Sequence, residues 1–70
     1  MQIPPQKRDF LISARKNKGF TQFEIAQIVD INTASYCNIE TGKRNPSVKL
    51  AKKISELLDL NWTDFFNDMG

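Results

Sequence analysis

The side chains able to do chemistry concentrate between Thr21 and Pro46. They are amides, hydroxyls and cations: Gln22, Asn32, Thr33, Ser35 and Asn38, then the run Lys43-Arg44-Asn45. Such groups trade hydrogen bonds and neutralise anions without making or breaking covalent bonds. There is no histidine, no glycine-rich phosphate loop and no nucleophile beside a base, so an enzyme is not expected. The single cysteine, Cys37, lacks the histidine or CxxC partner that would activate it. It reads as a small adaptable side chain in preference to a redox sensor. A lone cysteine without histidine also excludes the usual zinc sites, and no cofactor is expected. Taken alone, small polar residues of this kind do no more than solvate a helix face.

Two short helices must position these groups. Thr21 can cap the first, and Glu24, three residues on, can reach back to complete a capping box. Ile25, Ala26, Ile28 and Val29 follow at helical spacing. The pattern breaks around Asp30. Asn32 is a favoured cap for the next helix, whose inward positions are Tyr36 and Ile39. Gly42 stands where a helix end needs a left-handed residue, and Pro46 stops further helix. On the wheel, Ala34, Cys37, Asn38 and Thr41 fall opposite the inward side, with Thr33 on the flank. A helix, a very short turn and a second helix with a polar outer face form the helix-turn-helix pattern.

At these residues the chain resembles the Cro and phage-repressor (XRE-type) helix-turn-helix family. The run Glu40-Thr41-Gly42-Lys43-Arg44-Asn45-Pro46 is the most specific part. Gln22, Glu24, Ala26, Asn32 and Ser35 match before it, Arg15 and Gly19 match upstream, and Leu58 and residues 61–66 downstream. The resemblance implies an all-α, compact five-helix bundle that binds double-stranded DNA. It assigns base contacts to Thr33, Ala34 and Asn38, and phosphate contacts to Gln22, Asn32, Ser35, Lys43, Arg44 and Asn45. It also implies a structural ion pair between Arg15 and Glu40 that ties the first helix to the third. Asp30 and Asp59 stand where the family often has glycine, so both are expected to take positive φ under some strain.

Seventy residues allow one domain with one small core, here residues 1–70. Helices are expected at about 5–17, 22–29, 33–41, 47–58 and 62–67. The first would begin at Pro4 and Pro5, which suit a first helical turn. No apolar run approaches the roughly 20 residues of a membrane span, and no signal peptide is evident, which points to the cytoplasm. The net charge of +2 hides an uneven distribution: all ten bases lie between Lys7 and Lys53, while residues 54–70 hold four acids and no base. With the other four acids counted, residues 1–53 carry +6 and the tail −4. A basic body with an acidic end suggests one face toward a polyanion and another turned away. Lys7, Arg8, Lys16 and Lys18 are weaker candidates for that contact.

The sequence therefore points to a transcriptional regulator, a repressor that occupies a near-palindromic operator as a weak or DNA-induced homodimer. Trp62, Phe65, Phe66 and Met69 exceed what one short helix can bury locally and are the expected dimer patch. The competing reading is a protein-interaction module, such as an antitoxin whose main partner is a protein. No membrane or small-molecule partner is evident. The outer face of the third helix lacks arginine, lysine and glutamine. An A·T-rich half-site read by Asn38 follows, with Lys43 or Arg44 still able to reach a base.

Overall fold

The structure, a computed structural model, describes residues 7–66. Pro4, Pro5 and Met69 lie outside the described residues. Helix α1 spans Asp9–Asn17, α2 Gln22–Ile28, α3 Thr33–Thr41 and α4 Val48–Leu58, followed by a 3-10 helix at Trp62–Phe66. The described fold is thus all-helical, with four α-helices in place of the expected five.

The fifth element is tightened by the residue just before it. The Asn61 side chain accepts from the Thr63 N–H at 3.2 Å and from the Thr63 hydroxyl at 2.8 Å. The Asp64 N–H reaches only to the Asn61 carbonyl, an i to i+3 bond of 2.9 Å. Such local side-chain bonds compete with the α ladder. Helix α1 also begins later than expected. Arg8 has φ −88° and ψ 80°, and its N–H donates to the Glu40 carbonyl at 2.8 Å, across to α3.

The remaining starts follow side-chain caps. Thr21 and Glu24 form both halves of the capping box, Asn32 accepts from Ser35 N–H, and Ser47 accepts from Leu50 N–H. The ends of α1, α2 and α4 share one device. Gly19, Asp30 and Asp59 take φ of 79°, 65° and 58°. The next residues, Phe20, Ile31 and Leu60, donate backbone N–H to Arg15, Ala26 and Ser55 carbonyls at 3.1, 2.9 and 2.9 Å. This is the six-residue closure that satisfies orphan carbonyls at a helix end. In all three cases the apolar side chain after the left-handed residue packs against the core.

That core joins Leu11 of α1, Ile25, Ala26 and Val29 of α2 and its cap, Tyr36 and Ile39 of α3, Ala51, Ile54 and Leu58 of α4, and Phe65. Ile28, at helical spacing with Ile25, Ala26 and Val29, does not join them, and Val48 at the start of α4 also faces outward. Ile28 is 57% and Val48 47% exposed. At about 100° per residue, Ile25, Ala26 and Val29 fill one arc and leave Ile28 outside it. Phe65 likewise leaves the expected dimer patch. It is 2% exposed and meets Phe10 edge-on, with ring centroids 5.3 Å apart. Trp62 is half-buried, with Lys52 Nζ 5.0 Å from its ring, and Phe66 remains exposed.

The left-handed aspartates give a measurable consequence. An L-residue with a Cβ in this region costs about 1–2 kcal/mol. Glycine's greater unfolded-state entropy gives back roughly 0.5–1 kcal/mol. Asp30→Gly should therefore stabilise the domain by about 0.5–1 kcal/mol in urea denaturation, and Asp30→Ala should destabilise it. Asp59→Gly should gain less, because it removes an exposed pair with Lys18 at 2.6 Å. A loss of stability in Asp30→Gly would contradict the assignment of strain.

Candidate nucleic-acid interface

Helix α3 presents two different faces. Tyr36, Ile39 and Glu40 are buried, whereas Ala34 and Asn38 are exposed, with Thr33, Ser35 and Cys37 half-buried between them. Among the described residues no hydrogen bond engages the Asn38 amide. What holds this helix is a side-chain network on its inner side.

Glu40 sits at the centre of that network, its side chain 2% exposed. Arg15 of α1 donates Nε to Glu40 Oε2 at 2.6 Å and Nη1 to the Phe20 carbonyl at 2.8 Å. Gln22 of α2 donates Nε2 to Glu40 Oε1 at 2.8 Å, and the Cys37 thiol donates to Gln22 Oε1 at 3.1 Å. One carboxylate thereby links three helices. Its hydrogen bond is the first cause that raises the Arg15 pKa above the ordinary value. The Tyr36 hydroxyl is buried beside the same groups and has no hydrogen-bond partner among the described residues. Burial first, then the adjacent carboxylate, pushes its pKa well up.

A second clamp acts at the far end of α3. Arg8 is 9% exposed. Its Nη1 donates to the Ile39 carbonyl at 2.6 Å and the Arg44 carbonyl at 3.1 Å, and its Nη2 to Asn45 Oδ1 at 2.6 Å. Its guanidinium carbon also lies 6.0 Å from the Phe65 ring centroid. Arg8 is therefore a structural residue, contrary to its reading as a weak surface candidate. The missed signal is spacing: Arg8, Leu11 and Arg15 fall at i, i+3 and i+7, one helical stripe that contains a core residue.

The expected contact residues now divide by how much of each side chain is committed. Ala34 and Asn38 are exposed, as is Lys43 beyond the helix end. Asn45 is exposed with its oxygen held by Arg8. Asn32 spends its oxygen on the α3 cap at 2.7 Å. Gln22 has one amide hydrogen left after its bond to Glu40. Arg44 Nη1 donates to Ser35 Oγ at 3.0 Å, so these two form a pair on the flank of α3. The assembly offers an outward amide and small side chains, bordered by cations and donors. Such a surface suits a phosphate backbone with base edges between its strands.

Residues 11–65 match the helix-turn-helix family HTH_3. An uncharacterized HTH-type transcriptional regulator of Bacillus subtilis, YqaF, is 48% identical over 62 residues, which cover 89% of this chain and 82% of that one. An uncharacterized HTH-type transcriptional regulator of Archaeoglobus fulgidus is 36% identical over 52 residues, 74% of each chain. A crystal structure of an HTH_3 family transcriptional regulator from Vibrio cholerae superposes with a TM-score of 0.66 at 30% identity. The match covers 86% of this chain and 34% of that one, so this chain spans about a third of that regulator.

Breaking the central pair should be costly. Removing one partner of a buried ion pair strands the other charge, at about 3–5 kcal/mol. Glu40→Ala should lower stability on that scale, while the exposed Glu56→Ala should change it by less than about 0.5 kcal/mol. Denaturant titration of the two variants checks this; equal small losses would remove the pair from its central role.

Proposed function

The chain belongs to the helix-turn-helix family HTH_3, and from that premise we propose that it binds double-stranded DNA sequence-specifically, as a cytoplasmic transcriptional repressor. The observation that carries the reading is the outward side of α3. Asn38 and Ala34 stand exposed there, on a helix whose inner side is fixed by Glu40 and Arg8. In a helix-turn-helix this second helix enters the major groove.

Asn38 can pair its amide with adenine N6 and N7, and the methyl groups of Thr33 and Ala34 can lie against a thymine methyl. Lys43 and Asn45 contact phosphates at one end of the helix, with the uncommitted donors of Gln22, Asn32 and Ser35 at the other. In this reading the acids Glu56, Asp59 and Asp64 are turned away from DNA, as repulsion requires. Repression is steric: a dimer occupies two half-sites about 34 Å apart and excludes polymerase. Exposed Phe66, with half-buried Trp62 beside it, supplies the subunit contact.

Binding to duplex DNA should weaken steeply with salt, because counterions are released. In a selection from random duplexes, Asn38→Ala should relax preference at one A·T pair. Lys43→Ala should weaken all sequences about equally and reduce the salt slope by about 1. A salt-insensitive affinity, or an unchanged selection profile in Asn38→Ala, would sink the assignment. Sedimentation tests the dimer separately. Phe66→Ser should leave the fold intact, abolish self-association on the operator and weaken operator binding; unchanged association would exclude this surface.

A further inference from the structure

We infer that Arg44 is a specificity-determining residue that reads a guanine beside the base contacted by Asn38; this rests on the DNA-binding function proposed above. The outer face of α3 has no arginine, lysine or glutamine of its own. The commonest specific base contact is a bidentate arginine on guanine O6 and N7. The structure brings that group to the face from the loop that follows.

Arg44 is held at three points. Its N–H donates to the Asn38 carbonyl at 3.1 Å, and its carbonyl accepts from Arg8 Nη1 at 3.1 Å. Its own Nη1 donates to Ser35 Oγ at 3.0 Å, nine residues back along the chain. The side chain therefore runs from the last turn of α3 back toward the first. Ser35 and Asn38 are three residues apart, which makes them neighbours on the helix surface. The guanidinium accordingly stands on the flank of Asn38, opposite the flank that carries Thr33.

Two features prepare the Arg44 fork for a bidentate contact. Among the described residues, Ser35 engages one donor of the Arg44 fork, and the side chain is exposed, so the other donors are presented outward. The main chain on both sides of the side chain is pinned, through Asn38 and through buried Arg8, so the guanidinium starts from a fixed place. Pre-ordering lowers the entropy lost on binding; because an arginine fork can also grip a phosphate bidentately, what points to a base is the guanidinium's place beside Asn38 on the outer face of α3. Lys43, the residue before it, is exposed and carries no such restraint.

The test is a selection of duplexes from a random pool with wild type, Arg44→Lys, Arg44→Ala and Ser35→Ala, each followed by affinity against salt. Wild type should select a guanine next to the adenine read by Asn38, with about tenfold or greater loss when that guanine is replaced. Both Arg44 variants should lose the guanine preference and keep the adenine preference. Arg44→Lys should do so with an unchanged salt slope, since it keeps the charge and loses only the fork. Ser35→Ala should weaken the guanine preference in part. A uniform loss over all duplexes in Arg44→Ala, with the base profile unchanged and the slope lower by about 1, would make Arg44 a phosphate contact and overturn the inference. Salt-insensitive or absent duplex binding by wild type would instead overturn the DNA-binding reading, and this inference with it.

Discussion

The structure depends on one buried carboxylate. Glu40 receives Arg15 from α1 and Gln22 from α2, while its own helix supplies the face turned outward. A charge removed from water is unfavourable unless paired and hydrogen-bonded, so each partner is obliged to be in place. That obligation carries geometric information that apolar packing lacks. The packing of Leu11, Ile25 and Ile39 is non-directional, whereas the bonds at 2.6 and 2.8 Å to Glu40 have a set direction. The orientation of α3 relative to α1 and α2 is therefore set from its inner side, and its outer residues contribute little to holding the fold.

Arg8 extends this arrangement to the loop. It binds two carbonyls and one side-chain oxygen across the end of α3, where the helix leaves backbone acceptors without partners. A cation there also meets the negative end of the helix dipole. The Arg44 main chain and the Asn45 side chain are consequently tied to the end of the helix. Arginine suits the task because its planar fork can reach several oxygens at once.

Much of this was legible in the sequence. The starts of α2, α3 and α4 follow from Thr21, Asn32 and Ser47, because a cap is a local interaction between near neighbours. The left-handed φ at Asp30 and Asp59 followed from the resemblance, and so did the pairing of Arg15 with Glu40. What escaped was set by contacts distant in sequence or by competition between near-equal local forms. Arg8 looks like a surface cation until α3 is placed beside it. The half-committed amide of Gln22 depends on Glu40, 18 residues away. Trp62, Phe65 and Phe66 are spaced acceptably for either an α or a 3-10 turn, and the Asn61 side chain decides between them. The burial of Phe65 then followed from its meeting with Phe10, which no periodicity announces.

The repeated helix stop has a kinetic meaning. At each of Gly19, Asp30 and Asp59 the chain reverses within a few residues, and the apolar residue that follows is delivered to the core by that reversal. Corners of this kind close short loops, whose entropic cost is small, and they can form before distant parts of the chain meet. The contacts that fix the outward face are of another sort: Arg15 to Glu40 spans 25 residues and Arg8 to Asn45 spans 37. Topologies rich in near-neighbour contacts fold fast, on the order of microseconds to milliseconds. By that rule the three corners are contacts able to form early, whereas the long-range arginine bonds wait for α1, α3 and the following loop to meet.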